Sequence, residues 1–256
     1  MYQGFYNLVS GMLTQNRNLN VISNNMVNVQ TAGYKRDKMT SSTFDEEMLY
    51  RTGRRNKGNP EEMSVASKIR TAQQTHVNYE QGAFQNTGGI YDFALAGDGF
   101  FCIQTAQGVQ YTRNGSFYVD NQGYLMMNNG LGRVIGEDGG PIQINNENFT
   151  VDGSGTIRVV DYDGTTQVYG TLRVVDFEDY SQLHKEDYGV YSTDQTPRDV
   201  SGQVPIQWKM LERSNVDMVE EMTSMMTSQR ALQSAAQALK MYDQIMNRSA
   251  NDIGRL

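Results

Sequence analysis

The first thirty residues contain a single charged side chain, Arg17, yet they carry apolar residues at helical spacing and seven asparagines. That combination is wrong for a helix bathed in water. Phe5, Leu8, Met12, Leu19, Ile22, Met26 and Val29 step by alternating threes and fours when Gln15 is taken as a polar interruption, which is the heptad seam of a coiled coil. The other faces of a solvated coil are normally rich in Lys and Glu. Here they offer Asn7, Asn16, Asn18, Asn20, Asn24, Asn25 and Asn28, residues that favour helices poorly but hydrogen-bond readily to other protein groups. The expectation is a helix surrounded by protein, including copies of itself.

The chain has 256 residues, enough for one large domain or two modest ones, and its 38% hydrophobic residues and 25 glycines are ordinary for a folded protein. A formal charge of -7 argues against a nucleic-acid partner, because phosphate binding needs a sustained basic surface. The one basic cluster, Arg51, Arg54, Arg55 and Lys57, lies among Gly53, Gly58 and Pro60 and reads as a solvated loop. The single cysteine, Cys102, cannot form an internal disulfide, and its apolar run Phe100 to Ile103 reads as buried core. The N-terminus lacks the basic start of a cleaved secretory signal, and no window approaches the ~18 apolar residues of a membrane span. Membrane insertion is therefore not expected.

Along the chain the pattern is helix, linker, long β region, helix. The first helix is predicted over about residues 4 to 28, with Gly33 suited to a left-handed terminus. Residues 34–81 read as a linker or extended region, with a short helical turn at Phe44, Met48 and Leu49 and a loop from Arg51 to Ser64. From residue 82 to 213 the period becomes two. Phe93 to Leu95, Phe100 to Ile103, Val109 to Tyr111, Phe117 to Val119 and Ile157 to Val160 alternate with turn signals such as Gly97-Asp98-Gly99, Asn114-Gly115, Asn121 to Gly123, Asn128 to Gly130 and Asp163-Gly164. This predicts an antiparallel β domain. Ser214 then offers a helix cap with Asp217 three residues on, and Glu220 and Glu221 suit the first turns of the helix that follows. Met218, Met222, Met225, Gln229, Leu232, Ala236, Leu239, Met246, Ala250 and Ile253 form its expected seam, with Asp243 the one charged member.

The predicted fold class is α+β: discontinuous terminal helices (1–33 and 214–256) forming a coiled-coil-like stalk, with an inserted all-β antiparallel domain. An intramolecular helix pair would leave the uncharged face of the first helix in water. Heterologous contacts between identical stalks would bury it, and such contacts build a helical polymer when they do not close. The residues expected at that subunit interface are Phe5, Leu8, Met12, Gln15, Leu19, Ile22, Asn24, Asn25, Met26, Asn28, Val29, Thr31, Gly33, Met218, Met222, Met225, Gln229, Leu232, Leu239 and Met246.

Three stretches carry a resemblance. Ser23-Asn24-Asn25-Met26-Val27-Asn28-Val29-Gln30-Thr31-Ala32-Gly33-Tyr34-Lys35-Arg36 resembles the N-terminal signature of the bacterial flagellar rod and hook proteins, with Ser23, Met26 and Val27 in place of the commoner Ala, Leu and Ala. The run Asp92 to Phe101, followed by Tyr111-Thr112-Arg113-Asn114-Gly115-Ser116-Phe117 and Gly123-Tyr124-Leu125, is similar to the family's central motif. Ser214 to Arg230 resembles its C-terminal helix, and Leu232 stands where an aromatic is frequent. The length resembles that of a rod protein, of distal or proximal type, rather than the longer hook subunit. The resemblance implies a structural subunit of the basal-body rod whose terminal helices form an inner tube around the export channel. It implies partners in further copies of itself, adjacent rod and hook proteins and the flagellar export apparatus.

Two other classes compete. An enzyme is disfavoured because His76 and His184 flank no metal-spaced cluster, and Gly153-Ser154-Gly155 lacks the strand-to-helix context of a nucleophile elbow. No catalytic residue, metal or cofactor is expected. A secreted or surface β-domain binding module, oligomerised by its helices, is the alternative.

Overall fold

The heptad seam at the N-terminus becomes helix α1 (Tyr2–Val27), and the Met- and Ala-rich C-terminal segment becomes helix α2 (Met218–Ile253). Between them in sequence lie antiparallel strands, so the class is α+β as expected. The computed structural model describes residues 2–51, 61–145, 148–160 and 166–253. These fall into two discontinuous units: Met1–Val27 with Asp37–Val77 and Asp217–Leu256, and Asn28–Arg36 with Asn78–Val216.

In the helical unit α1 and α2 run antiparallel. The rings of Phe5 and Tyr242 have centroids 6.4 Å apart, Asn18 Nδ2 donates to Ser228 Oγ at 3.1 Å, and Asn25 Nδ2 donates to Glu221 Oε1 at 3.2 Å. The cap of α2 is Asp217, whose Oδ1 accepts from the Val219 and Glu220 amides, whereas Ser214 Oγ accepts only from the Val216 amide. A capping carboxylate beside the helix dipole suits an acidic first turn. The rest of this unit differs from the expected linker. Strands β1 (Asp37–Arg51) and β2 (Glu61–Val77) pair in an antiparallel ribbon that places Asp37 opposite Val77 and Phe44 opposite Ile69. Phe44, Met48 and Leu49 thus lie in a strand and make no helical turn. Of the predicted loop, Arg51 and residues 61–64 are also strand, while Arg54, Arg55 and Lys57 lie outside the described residues. A two-stranded ribbon is marginal alone. This one packs along α1, which contacts both strands.

The β unit opens with β3 (Phe84–Asn86), β4 (Phe93–Leu95), β5 (Phe100–Thr105), β6 (Gly108–Thr112), β7 (Phe117–Val119), β8 (Leu125–Met127) and β9 (Gly132–Val134). Its main sheet runs through β6, β5, β9, β8 and β7, extended beyond β6 by strands 190–192 and 184–185. β5 also pairs with Val174–Asp176, and a separate three-stranded sheet holds Phe149–Val151, Thr156–Val160 and Thr166–Thr171. Alternate residues of β5 enter two cores: Phe101 and Ile103 join Phe93, Leu125, Val134 and Ile157, while Phe100 and Cys102 join Tyr111, Phe177 and Tyr191. A strand buried on both faces must read as a continuous apolar run, and Phe100 to Ile103 does. Burial pushes the Cys102 thiol up to about 12, which suits a packing residue and not a nucleophile.

The Asn114-Gly115 pair is not a hairpin turn, because β6 pairs with β5 while β7 pairs with β8. Gly115 is needed there for close approach instead: its carbonyl accepts from the Phe93 amide, and a Cβ would collide with the Phe93 backbone.

Leu125 is wholly buried in the larger core. Leu125→Ala is expected to destabilise the β unit by about 2–5 kcal/mol, through lost transfer energy and a residual cavity. Urea unfolding of the full chain measures this, and a change below about 1 kcal/mol would contradict the core assignment.

Candidate assembly site and its buried polar supports

The helical unit is organised around Asn25, which is 1% exposed. Its Nδ2 donates to Glu221 Oε1 at 3.2 Å and to the Asp37 carbonyl at 2.8 Å, while its Oδ1 accepts from the Asp37 amide at 2.9 Å. One side chain thus ties α1, α2 and the start of β1. Glu221 is equally buried. An amide satisfying both groups of a backbone residue and a buried carboxylate leaves little choice of register.

The opposite side of α1 is different. Tyr6, Asn7, Leu13, Asn16, Arg17, Asn20, Ser23, Asn24 and Val27 are exposed, and Val27 reaches 80%. Asn20, Val21, Ser23, Asn24, Val27 and Asp37 line an open groove of about 540 Å³. Helix α2 likewise exposes Val219, Met222, Met226, Met241 and Ile245. Eight of the fourteen exposed large apolar side chains among the described residues therefore sit on the two helices. Isolated apolar residues are normal on a surface, whereas a concentration on helix faces marks an interaction surface.

The expected interface residues separate into three groups. Phe5, Leu8, Met12, Gln15, Leu19 and Met26 are half-buried on α1, as are Met218, Met225, Leu232, Leu239 and Met246 on α2. Ile22, Asn25 and Gly33 are buried within the chain itself. Asn24, Met222 and Gln229 face solvent, and Asn28, Val29 and Thr31 are half-buried beyond the end of α1. The α2 seam differs from the expected one. Its inward positions are Met218, Glu221, Met225, Ser228, Leu232, Ala235, Leu239, Tyr242 and Met246, and Met222, Gln229 and Ala236 point away. Apolar preference passed over Glu221 and Ser228, whose partners Asn25 and Asn18 lie about 200 residues earlier.

The β unit has its own buried polar cluster, unforeseen from the residues. Glu212 Oε1 accepts from Lys35 Nζ at 2.7 Å and from the Gly82 amide at 2.8 Å, and its Oε2 accepts from Arg113 Nε at 2.6 Å. All three side chains are at most 6% exposed. The Arg113 guanidinium also donates to the carbonyls of Leu95, Gly97 and Gly99. Lys35 Nζ donates further to the Glu80 carbonyl at 2.8 Å. Burial lowers the Lys35 ammonium, which the Glu212 charge partly offsets, and Arg113 adds to the lowering. Burial alone would raise the Glu212 carboxyl, but the charges and hydrogen bonds of Arg113 and Lys35 bring it below its ordinary value. Gly33 does not cap α1, which ends six residues earlier. At φ +67° it lies against Arg113, where a Cβ would come 2.5 Å from the backbone carbonyl group.

Three families match in chain order. Residues 5–35 match the flagella basal body rod protein family, residues 94–159 the flagellar hook protein FlgE/F/G D1 domain, and residues 209–253 the flagellar basal body rod FlgEFG protein C-terminal family. The chain is 32% identical to the flagellar basal-body rod protein FlgG of Bacillus subtilis, over 98% of this chain and 99% of that one. The chain belongs to the flagellar basal-body rod proteins. It is also 31% identical to the rod protein FlgF of Caulobacter vibrioides, over 100% of this chain and 98% of that protein. The flagellar hook protein FlgE of Treponema pallidum is 33% identical over 49% of this chain but only 27% of its own length. Membership makes this chain a structural component of the flagellar basal body. Among the described residues no group of His, Cys, Asp and Glu could hold a metal ion, and no helix is long and apolar enough to cross a membrane.

Asn25→Ala is expected to cost the helical unit about 1–3 kcal/mol, because it removes the hydrogen bonds from Asn25 to the Asp37 backbone and to Glu221, whereas exposed Asn16→Ala stays within about 0.5 kcal/mol. Thermal unfolding followed by helical circular dichroism distinguishes them. For the β unit, the Glu212 carboxyl has its lower pKa in the folded state, so the unfolded chain binds the proton first as pH falls. Stability is expected to be fully present above the unfolded value of about 4.3 and to be lost progressively below it. Urea midpoints measured across that range should flatten in Glu212→Gln.

Proposed function

We propose that this chain polymerises with copies of itself and with adjacent rod and hook proteins into a helical shaft that transmits torque and surrounds the export channel. In this reading the subunit reaches its site unfolded, through the flagellar export apparatus. The observation that carries the polymer is the outward face of α1, uncharged except for Arg17 and continuous with exposed apolar residues, together with the exposed Val and Met residues of α2. Two different faces on one molecule make a heterologous contact, and a heterologous contact that does not close generates an open helical array. The expected interface is therefore the exposed set, Asn24, Met222 and Gln229 among it, with the half-buried seam residues at its margins. Ile22, Asn25 and Gly33 hold the subunit together and act on assembly only through its shape. Amides hydrogen-bonded between subunits would resist shear better than charges hydrated by water.

Replacing exposed Asn16 and Asn20 together by Lys tests this. The variant should keep wild-type circular dichroism yet incorporate into basal bodies at about a tenth of the wild-type level or less, the effect of roughly 1.4 kcal/mol of lost contact energy per tenfold. Concentrated wild-type protein should show filaments or short tubes by electron microscopy. Discrete closed trimers, or normal incorporation of the variant, would overturn the proposal.

A further inference from the structure

We infer that Glu212 is a latch: residues 28–36 dock onto the β unit only after the strand Met210–Glu212 is in place, so this N-terminal strap closes last. The inference stands on the β unit alone and does not depend on polymerisation. The strap bonds to three stretches: the Asn78 amide donates to the Arg36 carbonyl at 2.8 Å and Lys35 Nζ to the Glu80 carbonyl at 2.8 Å, Lys185 Nζ donates to the Lys35 carbonyl at 2.9 Å, and of the three only residues 212–215 bring a carboxylate to Lys35. The Gly33 amide donates to the Glu212 carbonyl at 2.8 Å, Lys35 Nζ to Glu212 Oε1 at 2.7 Å, and the Arg36 amide to Asn215 Oδ1 at 2.7 Å. Asn215 Nδ2 in turn donates to the carbonyls of Asn78 and Glu80, at 2.8 and 3.0 Å.

Without Glu212, docking the strap would bury the Lys35 ammonium near the Arg113 guanidinium with only the weaker charge of Asp98 to offset it. An unpaired buried charge is strongly disfavoured, and two like charges in one site are worse. The larger core makes no comparable demand on the strap. Arg113 already reaches the carbonyls of Leu95, Gly97 and Gly99, and the β5, β9 and Val174–Asp176 ladders pair among themselves. The core can therefore close around an undocked strap, whereas the strap cannot dock before its counter-charge arrives. A chain delivered N-terminus first carries residues 28–36 in advance of residue 212, which leaves the strap extended until the C-terminal return has formed.

Limited trypsin digestion of the full-length protein tests the latch, because Lys35 and Arg36 are cleavage sites inside the strap. Glu212→Gln preserves side-chain shape and removes only the charge. Cleavage at Lys35 and Arg36 is expected to become about tenfold faster or more, as protection tracks the free energy of local opening. By hydrogen exchange, the amides of Gly33 and Gly82 should lose protection while those of Cys102 and Ile135 keep theirs. Adding Lys35→Met to Glu212→Gln should restore resistance at Arg36, since the unpaired ammonium is gone. Unchanged protection of the strap in Glu212→Gln would overturn the latch. So would loss of protection throughout the core in parallel with the strap, which would make Glu212 a general stability element.

Discussion

A single buried carboxylate, Glu212, holds together parts of the β unit that come from three distant places in the chain. Lys35 arrives before the unit's main sequence, Arg113 from the end of β6, and Gly82 from the approach to β3. Removing a buried ion group from water is costly, and only complete pairing offsets the cost. Here both oxygens have donors, and both terminal nitrogens of Arg113 donate to backbone carbonyls. A buried ionic cluster is weak evidence of net stability, but it is strong evidence of a specified arrangement, because partial versions of it are penalised.

The helical unit solves its own specification problem with side-chain hydrogen bonds between its two helices. A seam of Leu, Met and Ala alone would tolerate slipped alignments of α1 against α2, since one heptad resembles the next. Asn25 with Glu221 and Asn18 with Ser228 pin the alignment, as a polar residue in a seam does at some expense in stability. The asparagine-rich composition thus has two physical meanings. Asn18 and Asn25 are bonded inside the unit, while Asn16, Asn20 and Asn24 leave Arg17 as the one charge on the outer face of α1.

The α1 seam was legible in the residues because its spacing is nearly unbroken and its flanks carry so little charge. The strands from Phe93 to Val119 were legible as well, since short apolar runs between turn residues have few other folds. The β1–β2 ribbon was not. Asp37–Arg51 and Glu61–Val77 mix charged, hydroxyl and apolar residues without clean alternation, and the β1–β2 register is irregular at Thr40/Ser41 and Leu49/Tyr50, which breaks a period-two pattern further. The α2 seam was half legible, because a glutamate and a serine facing inward cannot be told from surface residues until their partners are known. Lys35 and Glu212 were hidden for the same reason: each looks solvated alone, and their pairing spans 177 positions.

The chain crosses between its two units four times, at 27/28, 36/37, 77/78 and 216/217. The sequence segments shared with relatives do not respect those crossings. The match over 5–35 joins α1 to most of the strap, and the match over 209–253 joins the Glu212 strand to α2. What is inherited as a contiguous segment is therefore different from what folds as a body. Grafting a terminal segment from one rod protein onto another would exchange a helix and, in the same stroke, one arm of an ionic cluster belonging to the other body. Such an exchange has to preserve the meeting of Lys35, Arg113 and Glu212 as well as a helix face.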